Sequence, residues 1–165
     1  MTRIDVPLLV VGRGPAALVV AKVAAGRGTP CLLAGHQIVG DAVPRPLSPA
    51  AVAVLERHGL VDVLRPHVTE LAPLTIAPDA FEVVIKHHCV ADLNVTVYDG
   101  VTLVERVAVG SGLHGVLTDG TSRWELRADR FVDADRLPAS LSDAIVAGAV
   151  NVEDAVGTPR AAPLR

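Results

Sequence analysis

The sequence predicts a three-layer α/β fold: a parallel sheet, a layer of helices against it, and an antiparallel β-meander. Three observations carry this reading. A short apolar run, residues 8–11, leads into Gly12-Arg13-Gly14 and then into a helix of small residues. A second apolar run, Cys31–Ala34, follows it and completes a compact βαβ start. Later the chain changes to short runs separated by Gly110 and Gly112 and by Asp119-Gly120, and Asp-Gly between two strands is a strong hairpin signal.

The elements follow in order. Residues 8–11 are apolar and partly β-branched and stop before a glycine, as a buried parallel strand does. Pro15 suits the first turn of a helix, where its missing N–H is an orphan in any case. The helix runs over residues 16–25, and Gly26 and Gly28 stop it. Residues 36–49 read as loop, with Gly40, Pro44, Pro46 and Pro49. Ser48 caps a helix over 49–58, and Gly59 ends it. Residues 60–67 form a short helical turn and 74–77 a strand. Residues 78–92 form a helix whose Phe81, Val84, Ile85, His88 and Cys89 share one face. Short strands are expected at 95–97, 103–109, 114–118 and 123–127, then a final apolar strand at 131–134. A last helix is expected near 140–147, with an extended tail after Gly157. The chain carries no internal repeat and reads as one domain, 1–165, with its meander over about 101–128.

Gly12-Arg13-Gly14-Pro15-Ala16-Ala17 fits G-x-G-x-x-(G/A) between a strand and a helix. The first glycine permits the tight turn, the second lets a pyrophosphate approach the backbone, and the small Ala17 lets helix and strand pack closely. Free N–H groups at the helix start then face the phosphates, and Arg13 adds a full charge. The expectation is a dinucleotide site. One rule is broken: where the second strand should end in an acidic residue for the ribose, the chain has Ala34, Gly35 and His36.

Composition narrows the other classes. Of 165 residues, half are apolar but only 2% aromatic, so base stacking is poorly supplied. The net charge of −3, without a basic run, argues against a nucleic-acid partner. Mean hydropathy is +0.43, yet the longest apolar segment, 16–25, is interrupted by Lys22, so no membrane span is expected. The N-terminus, MTRIDVP, enters a strand pattern at once, and two cysteines make no disulfide framework. A cytoplasmic protein with reduced thiols is the expectation.

Four segments together resemble the FAD domain of the flavoprotein hydroxylases related to p-hydroxybenzoate hydroxylase. They are VVGRGPAALVVAKVAAGRGTPCLLAG, RPLSPAAVAVLERHGLVDVL, NVTVYDGVTLVERV and HGVLTDGTSRWELRADRFVDAD. The resemblance implies an FAD/NAD(P)-binding Rossmann-like domain with FAD as cofactor. It also implies a phosphate or ribose contact from Arg45 and an adenine contact from the backbone near Leu103. The segment VEDAVGTP echoes the family's late G-D motif, with Glu153 in place of glycine. If the echo holds, Asp154 meets the ribityl chain; otherwise it belongs to a solvated acidic pair. Arg136 departs from the family's glycine, and the substrate domain expected after Asp135 is missing. Loss of the ribose carboxylate should cost about 1.5–3 kcal/mol, one to two decades of affinity.

Candidate cofactor contacts are therefore Gly12, Arg13, Gly14, Pro15, Ala16, Ala17, Ala34, Gly35, His36, Arg45, Leu103 and Asp154. His36 is read either as a ribose contact or as a solvated loop histidine. No catalytic set is evident. His87, His88 and Cys89 are consecutive on a helix, about 100° apart, and cannot converge on one metal. His88 and Cys89 are expected to pack on the sheet with His87 in solvent, Cys31 to be inert packing, Trp124 to pack on a sheet face, and Asp133 and Asp135 to be solvated. The expected function is non-catalytic: an FAD-binding protein that sequesters, stores or protects the cofactor, similar to stand-alone FAD-sequestering proteins. One alternative is a flavin-dependent oxidoreductase subunit completed by a partner, a homodimer or a client flavoenzyme. The other is a nucleotide-free interaction module.

Overall fold

The structure, a computed structural model, describes residues 1–135. The expected helix near 140–147, the extended tail, Arg136 and Asp154 lie outside the described residues.

The first strand, β1 (Thr2–Val11), is longer than the apolar run at its end. In its first half Ile4 and Val6 turn inward while Arg3 and Asp5 stay in solvent. In its second half Leu8, Leu9 and Val10 are fully buried. Helix α1 (Pro15–Gly26) follows, with Pro15 at its first position. Its alanines let it lie close against the sheet on one side and against α4 (Pro78–Ala91) on the other. Lys22 is its one charged side chain, and its Nζ sits 2.7 Å from Asp92 just beyond α4. Strand β2 (Cys31–Ala34) then pairs in parallel with Leu8–Val11.

The middle of the chain is a small annex. Strands β3 (Arg45–Pro46), β4 (Glu70–Leu71) and β5 (Leu74–Ile76) form an antiparallel sheet in the order β3-β5-β4. Arg45–Pro46 falls in the segment expected to be loop, and both two-residue strands are too short to carry a period of their own. Helix α2 (Pro49–Arg57) starts on Ser48, whose Oγ accepts the Ala51 N–H at 3.1 Å. Helix α3 (Leu60–Leu64) continues into a 3-10 turn, Arg65–His67.

After α4 come β6 (Val95–Tyr98), β7 (Thr102–Val109), β8 (Gly112–Thr118) and β9 (Arg123–Asp133). The large sheet has the order β6-β2-β1-β9-β8-β7. Sequence reading split β9 into two strands, but it is one strand of 11 residues. It pairs antiparallel with β8 along Arg123–Ala128 and in parallel with β1 along most of its length. Past Ala128, where the β8 pairing ends, residues 130–133 stay paired with residues 8–11 of β1 and so continue the strand. Two cores result. One fills the space between the parallel strands and the helices. The other joins Leu9 and Leu32, on the opposite face, to Leu113, Leu117 and Leu126 of the meander. The three expected layers are present.

Two expectations on α4 are corrected. His88 is exposed rather than packed, and Cys89 packs on α1, with its Sγ 3.7 Å from Leu18 O, rather than on the sheet. The face is rotated because α4 is covered by a helix. This rotation buries Glu82 instead. Cys31 and Cys89 are both buried, and desolvation pushes each thiol up to about 12, so both are inert at neutral pH.

The Lys22–Asp92 pair joins α1 to the end of α4. The hydrogen bond from Lys22, helped by the Asn94 N–H, holds the Asp92 carboxyl below its usual 3.8. A depressed folded-state value means that the native chain binds fewer protons than the unfolded one. The contribution is therefore complete above the usual value and lost as pH falls through the lower one. Urea midpoints measured from about pH 6 to about pH 3 should fall less steeply in Asp92→Asn than in the native chain. Parallel curves would remove Asp92 from the acid response.

Candidate functional site

Strands β2, β1 and β9 are parallel and end in one row, Ala34 beside Val11 beside Asp133. From β1 the chain moves through α1 to β2 on one side, and it returns on the other side through β9. The strand order therefore reverses at β1, and ligands of open α/β sheets bind outside the carboxyl ends of strands at such a point.

An open cleft of about 480 Å³ lies there, within the usual size range of small-molecule sites. Gly12 and Gly35 form part of its lining, with Arg13 and Ala34 beside them. Gly12 has φ +139°, and a Cβ there would lie 2.7 Å from the Ala134 Cβ. Gly35 has φ +72° and faces Val101 O. Leu103 and Arg106 of β7 form the opposite wall. The register of β7 against β8 slips between Leu103 and Glu105, so the irregularity falls on that wall.

Asp133 and Asp135 line the same cleft and are not merely solvated. Asp133 Oδ2 accepts from Arg106 Nη1 at 3.1 Å, and Asp135 Oδ1 accepts the Arg13 N–H at 3.0 Å. Sequence reasoning missed their part and that of Arg106. The usable signal was an i, i+2 acidic pair at the end of a parallel strand.

The start of α1 differs from expectation. Gly14 has φ +83°, and its N–H donates to Gln37 O at 3.1 Å. Pro15 has no N–H, and Ala16 and Ala17 are wholly buried. Residues 36–41 form a strap over the glycine turn. Glu82, buried at the start of α4, holds it by accepting the Gly40 N–H at 2.6 Å and the Val39 N–H at 3.3 Å. His36 is 3% exposed, so the reading of it as a solvated loop histidine is corrected. Its Nε2 donates to Gly14 O at 3.1 Å and lies 3.7 Å from Glu82 Oε1. It is internal because the strap turns back over the helix.

The expected contacts thus separate. Gly12, Arg13, Ala34, Gly35 and Leu103 meet at the cleft. Gly14, Pro15, Ala16 and Ala17 stand behind it under the strap. Arg45 lies on β3, exposed and paired with Asp41 at 2.6 Å, and is not among the residues lining the cleft. Gly12 and Gly35 let the end of β9 and the Val101 carbonyl come close to these turns, and the exposed Arg13 stands at the cleft with its charge. The amide groups of the helix start are engaged or covered. Among the described residues, no group of three or more His, Cys, Asp or Glu can hold a metal, and no helix is long and apolar enough to cross a membrane.

No family model matches the chain, and no curated protein matches it. Solved structures do. The chain is similar to p-nitrophenol 4-monooxygenase from Pseudomonas putida, with TM-score 0.67 and 22% identity over 81% of this chain and 41% of that one. It is similar to the flavin-dependent monooxygenase PieE in complex with FAD and substrate, with TM-score 0.68 and 18% identity over 80% and 30% of the two chains. It is also similar to aklavinone-11 hydroxylase in a ternary complex with FAD and aklavinone, with TM-score 0.63 and 17% identity over 80% and 33%. The likeness shows a shared Rossmann-like fold, and this chain spans between 30% and 41% of the length of these three structures.

Proposed function

We propose that the protein binds FAD without turning over a substrate, and so sequesters, stores or protects the cofactor. The observation that carries this is the cleft at the switch point, lined by Gly12 and Gly35, on a fold shared with structures solved with FAD. Gly12, Ala34, Gly35 and Leu103 would surround the adenosine, and Arg13 would meet the diphosphate. Bound FAD supplies two-electron chemistry at its ring system; these residues hold its other half.

Asp133 is tied to Arg106 and Asp135 to the Arg13 amide, which supports a binding part for both carboxylates. Two other readings each have one observation. The short span relative to its structural neighbours favours an oxidoreductase fragment completed by a partner. The strap over α1 favours a nucleotide-free module.

The test is to isolate the protein natively, release any bound cofactor and identify it by absorbance and mass, then titrate the stripped chain with FAD. Stoichiometric FAD without oxidation of NADH or NADPH is the expected result. Oxidation of either would establish the enzyme, and no retention or titration would establish the nucleotide-free module.

A further inference from the structure

We propose that Asp133, positioned by Arg106, is the carboxylate that recognises the adenosine ribose, in place of the acidic residue absent from the end of β2. This rests on the reading that the cleft holds an adenine dinucleotide.

The row of strand ends puts Ala34, Val11 and Asp133 side by side. Asp133 is therefore two strands away from the usual position, about 10 Å at ordinary strand spacing, on the same rim of the sheet. Position 35 cannot provide the group from its present backbone. Its φ of +72° suits glycine, and any Cβ would press on Val101 O at 3.1 Å.

Asp133 is already prepared for the task. Its side chain is only 16% exposed and its exposed edge lines the cleft. Oδ2 accepts from Arg106, and Oδ1 accepts the Asp135 N–H at 3.2 Å. Arg106 itself lies over the Phe131 ring, 5.9 Å from its centroid. A carboxylate held this way has little rotamer freedom left to lose.

Arg106 and Arg13 both line the cleft, Arg106 paired with Asp133 and Arg13 carried on the glycine turn. A simple tie between β7 and β9 would explain the ion pair, but it would not make binding depend on ribose hydroxyls.

That dependence is the test. FAD binding to the stripped chain is competed with ADP and with 2′,3′-dideoxy-ADP, in the native protein and in Asp133→Asn. In the native chain ADP should compete about tenfold to a hundredfold better, the range for a hydrogen bond to a charged group. In Asp133→Asn the ratio should fall to within about threefold. Equal competition in the native chain would overturn the assignment without any variant. A ratio unchanged in Asp133→Asn would overturn it too, leaving FAD binding standing. If neither FAD nor ADP binds the native chain, the functional reading fails and the assignment fails with it.

Discussion

Replacing Glu82 with alanine is expected to lower the stability of the native state by about 3 kcal/mol, a fall in Tm on the order of 10 °C. Glu82 is the most consequential polar group in the interior. Its carboxylate is wholly buried among apolar neighbours of α4, and its acceptors are turned to the Val39 and Gly40 amides. Truncation leaves a cavity and releases those amides, and each term alone is worth about 1–3 kcal/mol. It also removes the carboxyl group beside His36, which would keep its bond to Gly14 O but lose a polar neighbour. Glu82→Gln keeps the volume and one acceptor oxygen, so it should lose about half as much. Urea denaturation of both variants checks the order. If alanine costs less than about 0.5 kcal/mol, the strap is not held by this residue.

The strap explains why part of the site was legible in the sequence and part was not. Helix α1 and strand β2 were readable nearly to the residue. Pro15 and Gly26 punctuate the one, and an unbroken apolar run marks the other. The tight turn at Gly12 was readable because a glycine between a strand and a helix is a local signal. The burial of Glu82 was not, because a glutamate on an amphipathic helix reads as solvent-facing unless the loop that will donate to it is known. The burial of His36 escaped for the same reason. Asp133 and Arg106 are 27 residues apart and meet only through the order in which β7, β8 and β9 assemble in the sheet. The residues supplied by one turn could be named in advance. Those supplied by convergence of strand ends could not.

Substitution of Gly12 by valine is expected to have the largest effect on ligand binding, a loss of more than about a hundredfold in FAD affinity with about 4 kcal/mol of stability. Two costs add. A backbone at φ +139° is one that side chains with a Cβ rarely adopt, worth about 1–3 kcal/mol. The new Cβ also meets the Ala134 Cβ at 2.7 Å and the Asp135 N at 3.0 Å, so the end of β9 must move. That movement pulls Asp135 from the Arg13 amide and disturbs the wall of the cleft that both residues line. Gly28→Ala separates the two contributions. Gly28 also has a positive φ, +76°, but nothing lies within 4 Å of its would-be Cβ. It should therefore lose only about 1–2 kcal/mol and keep its affinity. FAD titration of both variants, with denaturation curves run alongside, gives the comparison. Native affinity in a folded Gly12→Val would mean that the nucleotide does not depend on the contact between the glycine turn and the end of β9.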